Sequence, residues 1–112
     1  MTPELEALAR RAAACKGWRL MPGMQLHQGG WFARVGVGWG WDDRRGPILP
    51  DLSDPVTLGG LLALVREAWG DPLAHVVPVA GGWRVWLELD LSVFFDGATE
   101  ASALVAALEA AP

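Results

Sequence analysis

The chain has 112 residues, 52% of them hydrophobic and 20% charged, with a formal charge of −4 at neutral pH. That length suits one domain able to hide roughly two-thirds of its unfolded surface without disulfides or metals, and no apolar run approaches the roughly 20 residues that a membrane helix needs. The negative balance offers phosphate backbones no general attraction, which disfavours a strongly salt-dependent nucleic-acid binder.

Thr2 before Pro3 is a good helix start, and Leu5, Leu8, Ala9 and Ala12 form an apolar stripe that Gly17 would end, predicting a first helix over 3–16. The same run, "MTPELEALARR", lacks the basic start and continuous apolar middle of a secretory signal, so a cytoplasmic location is expected. Cys15, the single cysteine, reads as a small buried hydrophobe. Pro22-Gly23 and Gly29-Gly30 are turn signals on either side of a short strand over 24–28.

From Trp31 to Trp39 the chain alternates: Trp31, Ala33, Val35, Val37 and Trp39 fall on one face, Phe32, Arg34, Gly36 and Gly38 on the other. This predicts a half-buried strand, followed by a polar turn at "DDRRGP" and a proline-broken connection, "ILPDLSDP". Asp54 before Pro55 caps a second helix over 55–69, whose apolar face carries Leu58, Leu61, Leu62, Val65 and Trp69 and which stops at Gly70-Asp71-Pro72. Gly59-Gly60 inside it costs about 1 kcal/mol each against alanine, which suggests close approach of another backbone.

Val76–Val79, Gly81-Gly82 and Trp83–Leu89 read as a hairpin turning at the paired glycines. Trp83, Val85, Leu87 and Leu89 should face inward, and Arg84, Trp86 and Glu88 outward. "LSVFF" (91–95) predicts a further strand and Asp96-Gly97 a turn. Thr99 then caps a third helix over 100–110 with Ala101, Leu104, Val105 and Leu108 inside. The whole is a single α+β domain, in the order α-β-β-α-β-β-β-α, with an antiparallel sheet of four to five strands and the helices mainly on one face.

Chemistry is sparse. Gly36, Gly38 and Gly40 superficially suggest a phosphate loop, yet Trp41 stands where a third spaced glycine would be, and Asp42-Asp43 follows instead of a helix start. On a strand the same glycines leave a bare groove bordered by Phe32 and Arg34, filled either by a helix of this chain or by a ligand. His27 and His75 have no nucleophile or acid at a recognisable spacing, and two histidines with one cysteine are too few for a soft-ligand zinc site. Asp42, Asp43, Asp51 and Asp54 lack the ligand alternation of a calcium loop and read as turn and cap residues. No catalytic residue, cofactor or metal is expected.

Surface recognition remains. Seven tryptophans without a tyrosine are more indole than so small a core encloses easily. Trp39, Trp41, Arg44 and Arg45 surround one turn, Arg84 and Trp86 share the outer face of a hairpin, and tryptophan and arginine are enriched at interface hot spots. A protein partner is expected. Two alternatives stay open: a single-stranded nucleic-acid module stacking bases on these rings, and a small enzyme using a carboxylate pair that only the fold brings together.

The blocks "GWRLMPGM" (17–24), "LPDLSDPVTLGGLLALVREAWGDP" (49–72) and "ATEASALVAALEAAP" (98–112) resemble a family of small proteins encoded by bacteriophages and prophages of high-GC bacteria. Family members often carry threonine at the position of Ser53 and cysteine at that of Gly60, and no activity is established for them, so no site residue is carried over. The resemblance implies a phage accessory protein working in a bacterial cytoplasm. One version is a counter-defence, anti-CRISPR-like inhibitor of a host defence complex. Self-association into a homodimer through a sheet edge or aromatic patch is a further expectation.

Overall fold

The structure is a computed structural model that describes residues 2–21, 23–26, 41–42, 46–47 and 49–112. The elements are α1 (Pro3–Ala13), β1 (Trp41–Asp42), β2 (Gly46–Pro47), α2 (Pro55–Trp69), β3 (His75–Val79), β4 (Gly82–Trp86), β5 (Phe94–Gly97) and α3 (Glu100–Ala110). The architecture is α+β. None of the helices is long and apolar enough to cross a membrane, among the described residues.

Each helix starts as its local sequence dictates. Thr2 Oγ1 accepts the Leu5 N–H at 3.2 Å, Asp54 Oδ2 accepts that of Thr57 at 2.9 Å, and Thr99 and Ser102 exchange reciprocal side-chain-to-backbone bonds. Proline occupies the first turn of α1 and of α2, where its missing N–H costs nothing. Gly70, at φ +62°, closes α2, and the Asp71 N–H bonds back to the Arg66 carbonyl at 2.9 Å. Helix α1 ends three residues earlier than its pattern suggests, because the Cys15 N–H reaches the Ala12 carbonyl and the chain tightens into turns.

β3, β4 and β5 form one antiparallel sheet in that order. α3 packs on all three strands and on both other helices, which explains why it is buried almost all round. The core joins Leu8, Leu49, Leu52, Leu61, Leu64, Val85, Leu104 and their neighbours. Trp69 Nε1 donates to the Ala107 carbonyl at 2.8 Å, and its ring meets Phe95 with centroids 5.8 Å apart, so the end of α2 is locked to α3 and to β5. At the other end of α2, the buried Thr57 hydroxyl accepts the Gln25 N–H at 2.8 Å and donates to Asp54, anchoring the segment after α1.

Several expectations need correction. Among the described residues the main sheet has three strands where four to five were expected; the β1–β2 pair is separate, joining Trp41 to Pro47 and Asp42 to Gly46. Of the strand over 24–28 the described residues, 24–26, show a bridge between Leu26 and Pro50, and 27–28 and the strand over 31–39 lie outside the described residues. The last strand is Phe94–Gly97, not 91–95: Asp90 accepts from both the N–H and the hydroxyl of Ser92, folding 90–93 into a turn. Leu89 points out, because β4 stops at Trp86 and only Leu87 continues the inward alternation. In the hairpin, Gly81 alone takes a positive φ, of +83°, while Gly82 is a strand residue. Cys15 is half-buried.

Gly59 and Gly60 differ from the expectation and from each other. Among the described residues no backbone is nearest to either: a Cβ on Gly60 would meet Met24 Cε at 2.7 Å, whereas one on Gly59 would meet nothing within 4 Å. Gly59→Ala is therefore expected to raise stability by about 0.5–1 kcal/mol, through helix propensity and a less flexible unfolded chain, in a urea titration.

α1 and α3 are also bridged at the surface, where the Arg11 guanidinium donates Nε to Glu109 Oε2 at 3.2 Å and Nη2 to Oε1 at 2.5 Å. That hydrogen bond and the arginine's charge hold the Glu109 carboxyl below its ordinary range, while Arg11 is raised. A depressed carboxyl stabilises the fold above its unfolded pKa and loses that contribution as pH falls through the folded value. Glu109→Gln should therefore cost under about 1 kcal/mol at neutral pH, since the pair is well solvated, and the difference from wild type should vanish in acid. Parallel denaturant titrations at neutral and acidic pH read this directly.

Candidate interaction surface

Register decides which residues share a face. Val76 pairs with Val85 and Val85 with Phe95, and these point to the helices. The opposite face therefore carries two cross-strand rows, His75–Trp86–Phe94 and Val77–Arg84–Asp96. No helix packs on this face among the described residues.

Arg84 organises the face. Its Nε and Nη2 donate to the two Asp96 oxygens at 2.6 and 2.9 Å, fixing the guanidinium plane. So held, its central carbon lies 4.1 Å from the Phe94 ring centroid and 5.2 Å from that of Trp86, and the two rings are themselves 5.2 Å apart and tilted by 52°. The shared hydrogen bond keeps Asp96 low and Arg84 high, so both remain charged across the ordinary pH range. The result is a preset cation–aromatic cluster, half-buried at Trp86 and Arg84 and exposed at Phe94.

Of the residues singled out in the sequence, Arg84 and Trp86 are thus brought together. Trp41 lies in β1 with only its backbone described, and Phe32, Arg34, Trp39, Arg44 and Arg45 lie outside the described residues. Phe94 and Asp96 were missed, having been assigned to a shifted strand and to a turn; opposite charges facing across a hairpin register were the available signal. Trp18, Trp69 and Trp83 are partly buried and pack against the core.

Among the described residues the remaining surface offers little reactive chemistry. A shallow depression of about 230 Å³ at the β3–β4 turn is walled by Trp83 and floored by the bare backbone of Gly82 and Gly97, but its carboxylate, Asp96, already binds Arg84. A second, of about 360 Å³, surrounds Cys15, whose thiol donates to the Arg11 carbonyl at 3.3 Å and is pushed up first by burial and then by Glu109, away from thiolate reactivity. No group of three or more His, Cys, Asp and Glu side chains is placed to hold a metal, among the described residues. Comparison of the chain with family models, curated proteins and solved structures finds no significant match.

Proposed function

We propose that the chain is a non-enzymatic binding protein that engages a partner protein through the helix-free face of its sheet, with Trp86, Phe94 and the Asp96-braced Arg84 as anchors. The observation that carries this reading is the bracing itself: an arginine held rigid over two aromatic rings has already surrendered the rotamer entropy that binding normally costs. Trp86 and Arg84 are also the residue types that dominate interface energetics. The same pairing supports protein over single-stranded nucleic acid, because the guanidinium's charge is matched by a carboxylate instead of being free for phosphate. The resemblance of the three sequence blocks supports a narrower form, a phage accessory protein in a bacterial cytoplasm that occupies a host defence complex, in the manner of an anti-CRISPR inhibitor.

The test is affinity capture from bacterial lysate with the wild-type chain and with Trp86→Ala/Phe94→Ala, both checked for unchanged thermal unfolding. A partner retained by wild type and lost by the variant is the expected result; the same proteins on both, or none on either, would count against the reading. Tryptophan fluorescence quenched by oligonucleotides and restored by salt would favour the nucleic-acid alternative instead.

A further inference from the structure

Five large apolar side chains are exposed among the described residues, and four of them gather at one end of the sheet. The antiparallel order places the start of β3, the end of β4 and the start of β5 together, as the row His75–Trp86–Phe94 records. Leu73 lies two residues before that row, Leu89 three residues after it, Leu91 in the turn that leads to β5, and Phe94 in the row itself. Leu73, Leu89 and Leu91 are 68%, 71% and 63% exposed.

These leucines are not on slack loops. Asp71, 1% exposed, accepts the Leu73 N–H on Oδ1 at 3.2 Å and the Leu89 N–H on Oδ2 at 3.1 Å, so one buried carboxylate pins both backbones. On the outside, His75 Nδ1 lies 3.2 Å from the Leu73 carbonyl and 3.5 Å from Glu88 Oε1, lacing the same two segments. Asp90 ties down the Leu91 turn through Ser92. A polar frame thus holds three leucines out in water at one end of the sheet, where apolar side chains together can mark an interaction site.

The charges between them specify what fits. Glu88 and Asp90 alternate with Leu89 and Leu91 and are exposed, while among the described residues Arg84 is paired with Asp96 and Arg66 is held through Nε on the Ala74 carbonyl at 2.7 Å, its charge unmatched there. We infer that this end of the sheet, Leu73, Leu89 and Leu91 with Glu88 and Asp90, is a docking site for a partner protein's cationic amphipathic segment, its apolar side chains on the leucines and its lysines or arginines on the two carboxylates. A second copy is disfavoured by the same charges, since a two-fold contact through this end would bring two acidic patches together. An anionic bilayer would be repelled likewise.

This inference rests on the protein-binding reading and names the partner's chemistry at the end of that face. It is tested by fluorescence anisotropy with a labelled amphipathic peptide of leucine and lysine, its leucine–glutamate counterpart, and anionic vesicles. Wild type should bind the leucine–lysine peptide, more weakly as salt rises, and neither of the other probes. Leu89→Ser/Leu91→Ser should lose about tenfold or more in affinity, and Glu88→Gln/Asp90→Asn, which keeps an acceptor for the Ser92 turn, should lose the salt dependence. The leucine variant should keep the wild-type unfolding midpoint, because neither leucine is buried, and the carboxylate variant is compared below its own midpoint, since Glu88 lies beside His75 and Asp90 holds the Ser92 turn. Wild type binding no peptide, binding both peptides alike, binding vesicles, or losing nothing in the leucine variant would each overturn the inference. If Trp86→Ala abolishes binding while the leucine variant retains it, the contact belongs to the open face, and only the broader reading survives.

Discussion

Asp71→Ala is expected to lower stability by about 3 kcal/mol and the unfolding midpoint by roughly 10 °C. The reasoning is an accounting of donors. Both Asp71 oxygens are used, one by Leu73 N–H and one by Leu89 N–H, and the carboxylate itself is closed off from water. Alanine leaves both N–H groups without their charged acceptor and opens a small void, and each lost charge-assisted bond in such a setting costs about 1.5–3 kcal/mol. Asparagine recovers only part of this, since its amide keeps one acceptor but turns a donor towards the other N–H. Urea unfolding gives the magnitude. Amide exchange gives the location: Leu73 and Leu89 should lose protection first, while the α3 amides follow global unfolding. The second readout matters for the docking site, because it reports whether the leucines are still held in place when nothing is bound.

Asp71 also shows where the sequence runs out. "WGDP" announces the end of α2, and the helix does end there, with Gly70 in the left-handed region. Nothing local reveals that the aspartate turns inward to a backbone 18 residues away. The helices were legible because caps, first-turn prolines and apolar spacing all act within a few residues; α2 and α3 fall on the expected 55–69 and 100–110. The sheet was legible as far as the hairpin, where pairing is set by a two-residue turn. Beyond Trp86 the reading failed, since "LELDLSVFF" continues an alternating pattern that the Asp90–Ser92 turn interrupts. That error moved the last strand by three residues and hid Phe94 and Asp96 from the candidate surface, although Arg84 and Trp86 were placed on the correct face. A one-residue error of register reverses every side chain of a strand, so a short edge strand flanked by turns is where pattern reading is weakest.

Gly97→Ala is expected to cost about 3 kcal/mol, for a reason that is steric and not conformational. Gly97 was read as a turn glycine, yet its φ is not positive, and any residue could adopt its backbone. What forbids a side chain is α3: a Cβ there would run into Ser102 Oγ and come within 2.5 Å of the Ala103 N and 2.8 Å of the Ser102 carbonyl carbon. The far end of a long side chain could swing away, but these atoms belong to the first turn of a capped helix, where Ser102 is bonded to Thr99 in both directions. Either the cap breaks or β5 moves off Trp83, its partner in the register. Gly81→Ala supplies the contrast. Among the described residues its Cβ would meet nothing within 4 Å, but its φ of +83° is unfavourable to alanine by roughly 1–2 kcal/mol. Asparagine, which tolerates that region, should restore part of the loss at Gly81 and none at Gly97, where a larger side chain only deepens the clash. Denaturant titrations of the four variants separate the two causes: rescue by asparagine at 97 would show that the close approach of β5 to α3 is not what holds glycine there, and none at 81 that its positive φ is not the reason for glycine at the turn.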